Sequence, residues 1–367
     1  MTKRNPYRGL PDRQFWKNDP GIADPDLFDP VSDVPFRITP QDKVVTAGSC
    51  FAQHVGHRLA VAGFTHHIAE PAHPMFEADL ARRFGYGIFS ARYGNIYTAR
   101  QLLQLLHRAY GLFTPMADAW PRKPDDGLRV VDPFRPQIQP EGFVSAAELA
   151  ADRAQHFASV RAAVETMDVF IFTLGLTEAW EDRRDGAIFP LAPGVAGGVW
   201  TPATVQFRNF DEVETAEDLC AALAFIRDRN PSVRIVLTVS PVPLNATFEP
   251  RHVFVSTAWS KAVLRIAAEK VMQAFDDCCY FPSYEIITAP QVRGRYFATD
   301  GREVLDAGVD HVMGLFFRHF ADGLPDAGPD SGVVPPDAAL TTAVQEHLAA
   351  MERQIEILCD EQAITNR

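Results

Sequence analysis

Ser49 and Cys50 stand side by side in Gly48-Ser49-Cys50-Phe51-Ala52, two candidate nucleophiles where one sequence pattern gives way to another. Before them, Lys43-Val44-Val45-Thr46-Ala47 reads as a short buried strand; after them, Phe51, Val55, Leu59 and Ala62 recur at helical spacing. A nucleophile in the first turn of a helix after a buried strand is exposed at the sheet edge. It has backbone N–H groups nearby to hold an oxyanion, and the positive helix end favours an anion. Gly48 lets the chain bend there without a Cβ clash. Cysteine gains more than serine from this place, because the thiolate is the reactive form and a helix N-terminus favours it. Spacing alone fits equally a Ser49 that caps the helix and a Cys50 that is a small buried residue.

Other chemistry-bearing residues are less ordered. His54, His57, His66, His67 and His73 crowd one part of the chain, which suggests metal. The first two fall on the helix and His66-His67 in a following strand, where neighbouring side chains face opposite ways, and no Glu-flanked zinc signature is present, so no metal site is expected. Lys261 and Arg265 lie one helical turn apart on one face. They fit solvated or paired cations, although an acyl donor with phosphates would need such a clamp. Five cysteines, Cys50, Cys220, Cys278, Cys279 and Cys359, are odd in number, scattered and without a C-x-x-C pair, so a disulfide framework is not expected.

The elements that would position these residues alternate. Near-continuous apolar strands at 169–174 and 233–239 repeat the pattern of the first strand, as in parallel sheets buried on both faces. Helical spacing covers Ala99–Tyr110, Ala146–Met167, Ala216–Arg229, Ser256–Phe275 and Asp306–Phe320. Strands separated by long helices predict a doubly wound α/β sheet, with chemistry at the residues just after each strand. Two long stretches rich in Pro, Gly, Asp and Trp, Phe113–Gly142 and Arg183–Phe210, read as lids or binding loops. The Pro-rich residues 1–40 read as an irregular arm, 41–320 as the main domain and 321–336 as a linker. Over 337–367, Leu340, Val344, Leu348, Met351, Ile355 and Leu358 form the stripe of an amphipathic helix, which predicts packing on the body or pairing with a second copy in a homo-oligomer.

Gly48-Ser49-Cys50-Phe51-Ala52 resembles the signature of the GSCFA domain family. The resemblance extends in order through Tyr93-Gly94-Asn95-Ile96-Tyr97-Thr98-Ala99-Arg100-Gln101-Leu102, Gly175-Leu176-Thr177-Glu178-Ala179-Trp180, Ser240-Pro241-Val242-Pro243, Ser260-Lys261 and Tyr280-Phe281-Pro282-Ser283-Tyr284-Glu285. It covers roughly residues 40 to 320. That family is placed among SGNH-type (GDSL-like) hydrolases, which implies a flavodoxin-like three-layer α/β/α sandwich with a mainly parallel sheet. It also implies ester hydrolysis or O-acyl transfer through a covalent acyl intermediate.

Set beneath the Gly-Asp-Ser-Leu of that superfamily, the turn puts Cys50 at the nucleophile, with Ser49 as the alternative; a one-residue slip would re-aim the hydroxyl away from the oxyanion donors. The resemblance makes Asn95, beside Gly94, the side-chain oxyanion donor. The block usually written Gly-x-Asn-Asp stands here as Gly175-Leu176-Thr177-Glu178, so Thr177 or Glu178 takes another task, binding a sugar hydroxyl or orienting the base. The Asp-x-x-His block stands as Asp300-Gly301-Arg302-Glu303, with glutamate in the place of histidine. Two imidazoles remain as candidate bases, His311 two turns into the last helix and His252 in the loop after 240–243, with Asp300 or Asp310 to orient them.

Composition bounds the partners. With 47% hydrophobic and 22% charged residues in 367, the chain has the make-up of a globular protein. A formal charge of −12 gives no general attraction for nucleic acid or anionic lipid. The longest apolar run, residues 169–176, is far below the roughly 20 residues that span a bilayer. The first residues carry no apolar export segment, which predicts a cytoplasmic chain. The expectation is thus an acyl-transfer enzyme without a cofactor, acting on a small-molecule or glycan acyl substrate. A non-catalytic binding protein with a degenerate triad is the alternative.

Overall fold

The computed structural model describes residues 5–32, 34–123, 129–322 and 360–364. Its centre is a four-stranded parallel sheet of β1 (Val44–Gly48), β4 (Val169–Leu174), β8 (Arg234–Val239) and β9 (Cys278–Tyr280), in that spatial order. Val44 pairs with Val169, Val169 with Arg234 and Ile235 with Cys278, so the carboxyl ends of the strands gather at one edge. On the far side of β1, Val44 makes a single parallel bridge to His66. The segments therefore lie in the order second, first, third, fourth, fifth.

β1 and β4 are buried along their whole length, which is why their sequences are apolar without alternation. Successive side chains still go to opposite faces. Val45, Phe170, Phe172, Ile235 and Leu237 pack on α3 (Ala99–Ala109), α4 (Ala146–Thr166), α5 (Glu212–Arg227) and α6 (Val253–Met272) through Leu106, Val164, Leu223 and Leu264. Val44, Ile171 and Val236 pack on α1 (Phe51–Val61), α7 (Ser283–Thr288) and α8 (Asp306–Phe320) through Phe51, Leu59, Ile286 and Phe316. Helices thus cover both faces of the sheet. At roughly 1.5–3 kcal/mol per buried large apolar side chain, these two layers dominate the stability of the body.

Three features differ from the sequence expectation. α5 and α6 begin earlier than the apolar spacing indicates, because caps set their starts: Asp211 closes a capping box with Glu214, and the His252 ring accepts from the Phe254 N–H. The long stretches are not strandless. The first holds the pair β2 (Trp120–Pro121) and β3 (Val130–Val131), and the second spans most of an antiparallel sheet of β5 (Glu178–Asp182), β6 (Ile188–Phe189) and β7 (Val205–Asn209). Both bury rings of their own, with Trp120, Phe134 and Phe189 in one cluster. His66-His67, expected in a strand, make only the bridge to Val44. The short α2 (Ala78–Arg83) lies between His73 and Tyr93.

The amino-terminal arm contains single 3-10 turns and is tied down by side chains: Asp19 accepts from Gln291, and Asp29 from His319. Ile38 bridges Ala321 at the end of α8. The amphipathic stripe expected from Leu340 to Leu358, and most of the linker before it, lie outside the described residues. The segment Asp360–Ile364 is a 3-10 turn against the body. Among the described residues, no helix is long and apolar enough to cross a membrane.

Candidate functional site

A pocket opens at the carboxyl edge of the sheet, where ligands enter folds of this architecture. Ser49 and Cys50 line it from the β1–α1 turn, Tyr97 from the chain before α3 and Gly175 from the end of β4. Ser240 and residues 242–244 join from the end of β8, and Glu361 from the carboxy-terminal turn.

Backbone bonds hold this edge. Gly48 has φ +135°, a conformation that L side chains rarely adopt, and its carbonyl accepts from the Ile96 N–H at 2.7 Å. A Cβ on Gly48 would lie 2.2 Å from the Thr173 carbonyl oxygen, so the close approach of the two strands also demands glycine. The Gly175 and Leu176 N–H groups both donate to the Tyr97 carbonyl at 3.1 Å. A Cβ on Gly175 would come within 3.0 Å of the Ser49 Cβ.

The two hydroxyl and thiol candidates differ in setting. Ser49 is 3% exposed, and its Oγ is buried without a hydrogen-bond partner. Cys50 is the N-cap of α1 and partly exposed. Phe51 opens the helix, so its N–H has no acceptor within the helix.

The cation beside Cys50 is Lys261. It lies on α6, is 2% exposed and donates from Nζ to the Gly175 carbonyl at 2.7 Å. Burial pulls its pKa down to about 8, while the charges of Glu361 and Cys50 favour its ammonium form and Arg302 opposes it. Glu361 is itself buried and ion-paired with Arg302. Burial lifts its carboxyl above the ordinary range, against the pull of Arg302 and Lys261. Arg302 also donates from Nε to the Pro243 carbonyl at 3.2 Å.

Asn95 is buried beside the nucleophile turn. Its Oδ1 accepts from Gln53 Nε2 at 3.0 Å, one turn along α1 from Cys50. Gly94 and Asn95 line a neighbouring hollow with Tyr93 and Phe134. Thr177 is buried away from the pocket lining; its N–H donates to Ser260 Oγ at 3.1 Å and its Oγ1 hydroxyl to Asn209 Oδ1 at 2.7 Å. Glu178 binds the 247–248 turn through Thr247 Oγ1 and the Phe248 N–H, and burial raises its pKa.

The structure does not bring the expected bases to this pocket: among the described residues, none of its lining is a histidine. His252 turns its ring back to cap α6, as Nδ1 accepts from the Phe254 N–H at 3.1 Å. His311 lies on α8, on the face of the sheet that α1 also covers, and is held outside the pocket lining between the Tyr296 hydroxyl and the Phe28 carbonyl. Asp300 is exposed and caps a turn through the Arg302 and Glu303 N–H groups. Asp310 pairs with Arg58 at 2.9 Å. Of the block Asp300–Glu303, it is Arg302 that reaches the pocket edge.

The crowded histidines are dispersed. His66 Nε2 meets Thr46 Oγ1 and Ser90 Oγ, His67 meets Thr166, and His73 accepts from the Met75 N–H. No group of three metal-binding side chains gathers among the described residues. Arg265 pairs with Glu269 and Glu285, one of the settings expected for it. Lys261, read from the sequence only as a solvated or paired cation or part of a phosphate clamp, is buried next to the pocket lining. Nothing local in the sequence pointed to Glu361.

A family model described as the GSCFA family matches residues 43–316, well over half of the chain. No curated protein matches it.

Proposed function

The chain belongs to the GSCFA family, and from that premise we propose that it is an acyl-transfer enzyme, an esterase or O-acyltransferase, whose nucleophile is Cys50. The fold we assign is the flavodoxin-like three-layer sandwich of SGNH-type hydrolases. The strand order, with the His66 bridge in the second position, supports it.

The observation that carries this reading is the placement of a partly exposed thiol at a strand-to-helix turn, in electrostatic contact with a buried lysine. The thiol passes its proton to Lys261. Sulfur then attacks the ester carbonyl carbon. The oxygen takes up negative charge beside the Phe51 N–H. Collapse breaks the ester C–O bond, and the leaving alkoxide recovers the proton from the Lys261 ammonium. Water or an acceptor hydroxyl, in our reading one on a glycan or small molecule, then attacks the thioester carbonyl and gives its proton to Lys261; the C–S bond breaks and the Cys50 thiolate is released to take that proton back. Lysine does here what the expected imidazole does elsewhere.

Short-chain aryl esters assayed on wild type, Cys50→Ala and Ser49→Ala test this. Loss of turnover in Cys50→Ala with retention in Ser49→Ala is expected. Retention in Cys50→Ala with loss in Ser49→Ala would move the attack to the buried hydroxyl. The absence of an imidazole from the described pocket lining favours a second reading, a non-catalytic ligand-binding protein. Under it no variant, nor wild type, turns over any ester.

A further inference from the structure

Glu361 sits where a substrate would have to go. Glu361 lines the same pocket as Ser49 and Cys50. The segment that brings Glu361 there is a short turn: among the described residues, Asn245 Nδ2 donates to the Glu361 carbonyl at 2.7 Å, and the side chain pairs with Arg302. What receives the carboxylate belongs to the body. Arg302 comes from the loop before α8 and is fixed by the Pro243 carbonyl. Lys261 rises from α6 and is fixed by the Gly175 carbonyl.

Lys261 and Arg302 each bond a carbonyl of the pocket lining, Gly175 and Pro243, in a chain with 35 basic and 47 acidic residues. Lys261 is buried, and the charges of Glu361, Cys50 and Arg302 act on it. A buried ammonium beside a guanidinium is costly unless an anion accompanies them. Glu361 is that anion here. We propose that Arg302 and Lys261 form an anion subsite beside Cys50, occupied by the chain's own Glu361, and that the ester substrate carries a carboxylate or phosphate group that takes its place. This rests on the reading of Cys50 as nucleophile and narrows the substrate to anionic esters.

Alkylation of Cys50 tests this without requiring acyl transfer. Iodoacetate and iodoacetamide, alike in size and differing in charge, are applied to the full chain and the Cys50 peptide is quantified by mass spectrometry. In Glu361→Ala and in Glu361→Gln the ratio of the iodoacetate to the iodoacetamide rate is expected to rise at least about tenfold over wild type. Adding Arg302→Gln to Glu361→Ala is expected to reverse most of that rise. Succinate and inorganic phosphate are then compared as protectants of Glu361→Ala against iodoacetamide. Protection by one identifies the anion, and protection by neither, or an unchanged rate ratio in both Glu361 variants, overturns the subsite. An anion preference in a protein that hydrolyses no ester would keep the subsite and remove the enzyme reading; ester turnover without the preference would do the reverse.

Discussion

Gly48 ends β1 at φ +135° with the Thr173 carbonyl 2.2 Å from where a Cβ would sit, so it is the residue on which the aim of Cys50 depends. Gly48→Ala is expected to cost at least about 2 kcal/mol in denaturant midpoints, from strain plus a clash with backbone. Lys261 is the other decisive residue. Lys261→Met is expected to lower ester kcat/KM at pH 7 by about 100-fold or more, the loss of a proton acceptor. Its effect on stability has a definite sign with pH. Burial lowers the Lys261 pKa to about 8 from 10.5, so between those values the unfolded chain holds a proton that the folded chain has released. Wild type therefore gains stability relative to Lys261→Met as pH rises through about 8. Urea unfolding of both at pH 7 and pH 9.5 measures this, and a pH-independent difference would contradict it.

At the level of elements, caps and buried charge do what apolar spacing does not reveal. Asp211 accepts from the Val213 and Glu214 N–H groups, and Asp211→Ala is expected to cost about 1 kcal/mol by removing the cap of α5. The D-x-x-E signature was present in the sequence at 211–214, ahead of the first apolar residue used to start the helix. The loop that carries β3 is fastened to α4 by a network that no local pattern foretells. Arg135 joins Asp132 and Asp152, Arg92 joins Asp152, and the His156 ring meets Glu70 at 2.7 Å. His156 is 1% exposed, and burial first, then Arg135, lowers its pKa to about 4. It stays neutral in the fold while the unfolded chain binds a proton below about 6.5, so stability falls as pH drops from there toward 4. Glu70, Asp132 and Asp152 have carboxyls held below their ordinary values, and their contribution is lost further down. Urea midpoints at pH 7, 5.5 and 4.5 are expected to fall in that order, and His156→Asn to flatten the first part of the decline.

For the molecule as a whole, the layered α/β arrangement was legible because β1, β4 and β8 are apolar on both faces and α3, α4 and α8 carry clean helical spacing. β9 was not, since Cys278–Tyr280 is too short to show a period. The site was legible only where it is local. Ser49, Cys50 and Gly175 follow strand ends and meet in one pocket, whereas the base was sought as a histidine near the last block. Lys261 and Glu361 come from a helix and a terminal turn far apart in sequence, and only the fold brings them to the thiol. The most direct test of Cys50 as the acyl-bearing atom is rapid acid quench during turnover of an aryl ester, followed by peptide mass mapping. The prediction is one acyl mass increment on the peptide containing Cys50, absent in Cys50→Ala. An acyl group on Ser49, or turnover with no acylated peptide at all, would contradict it.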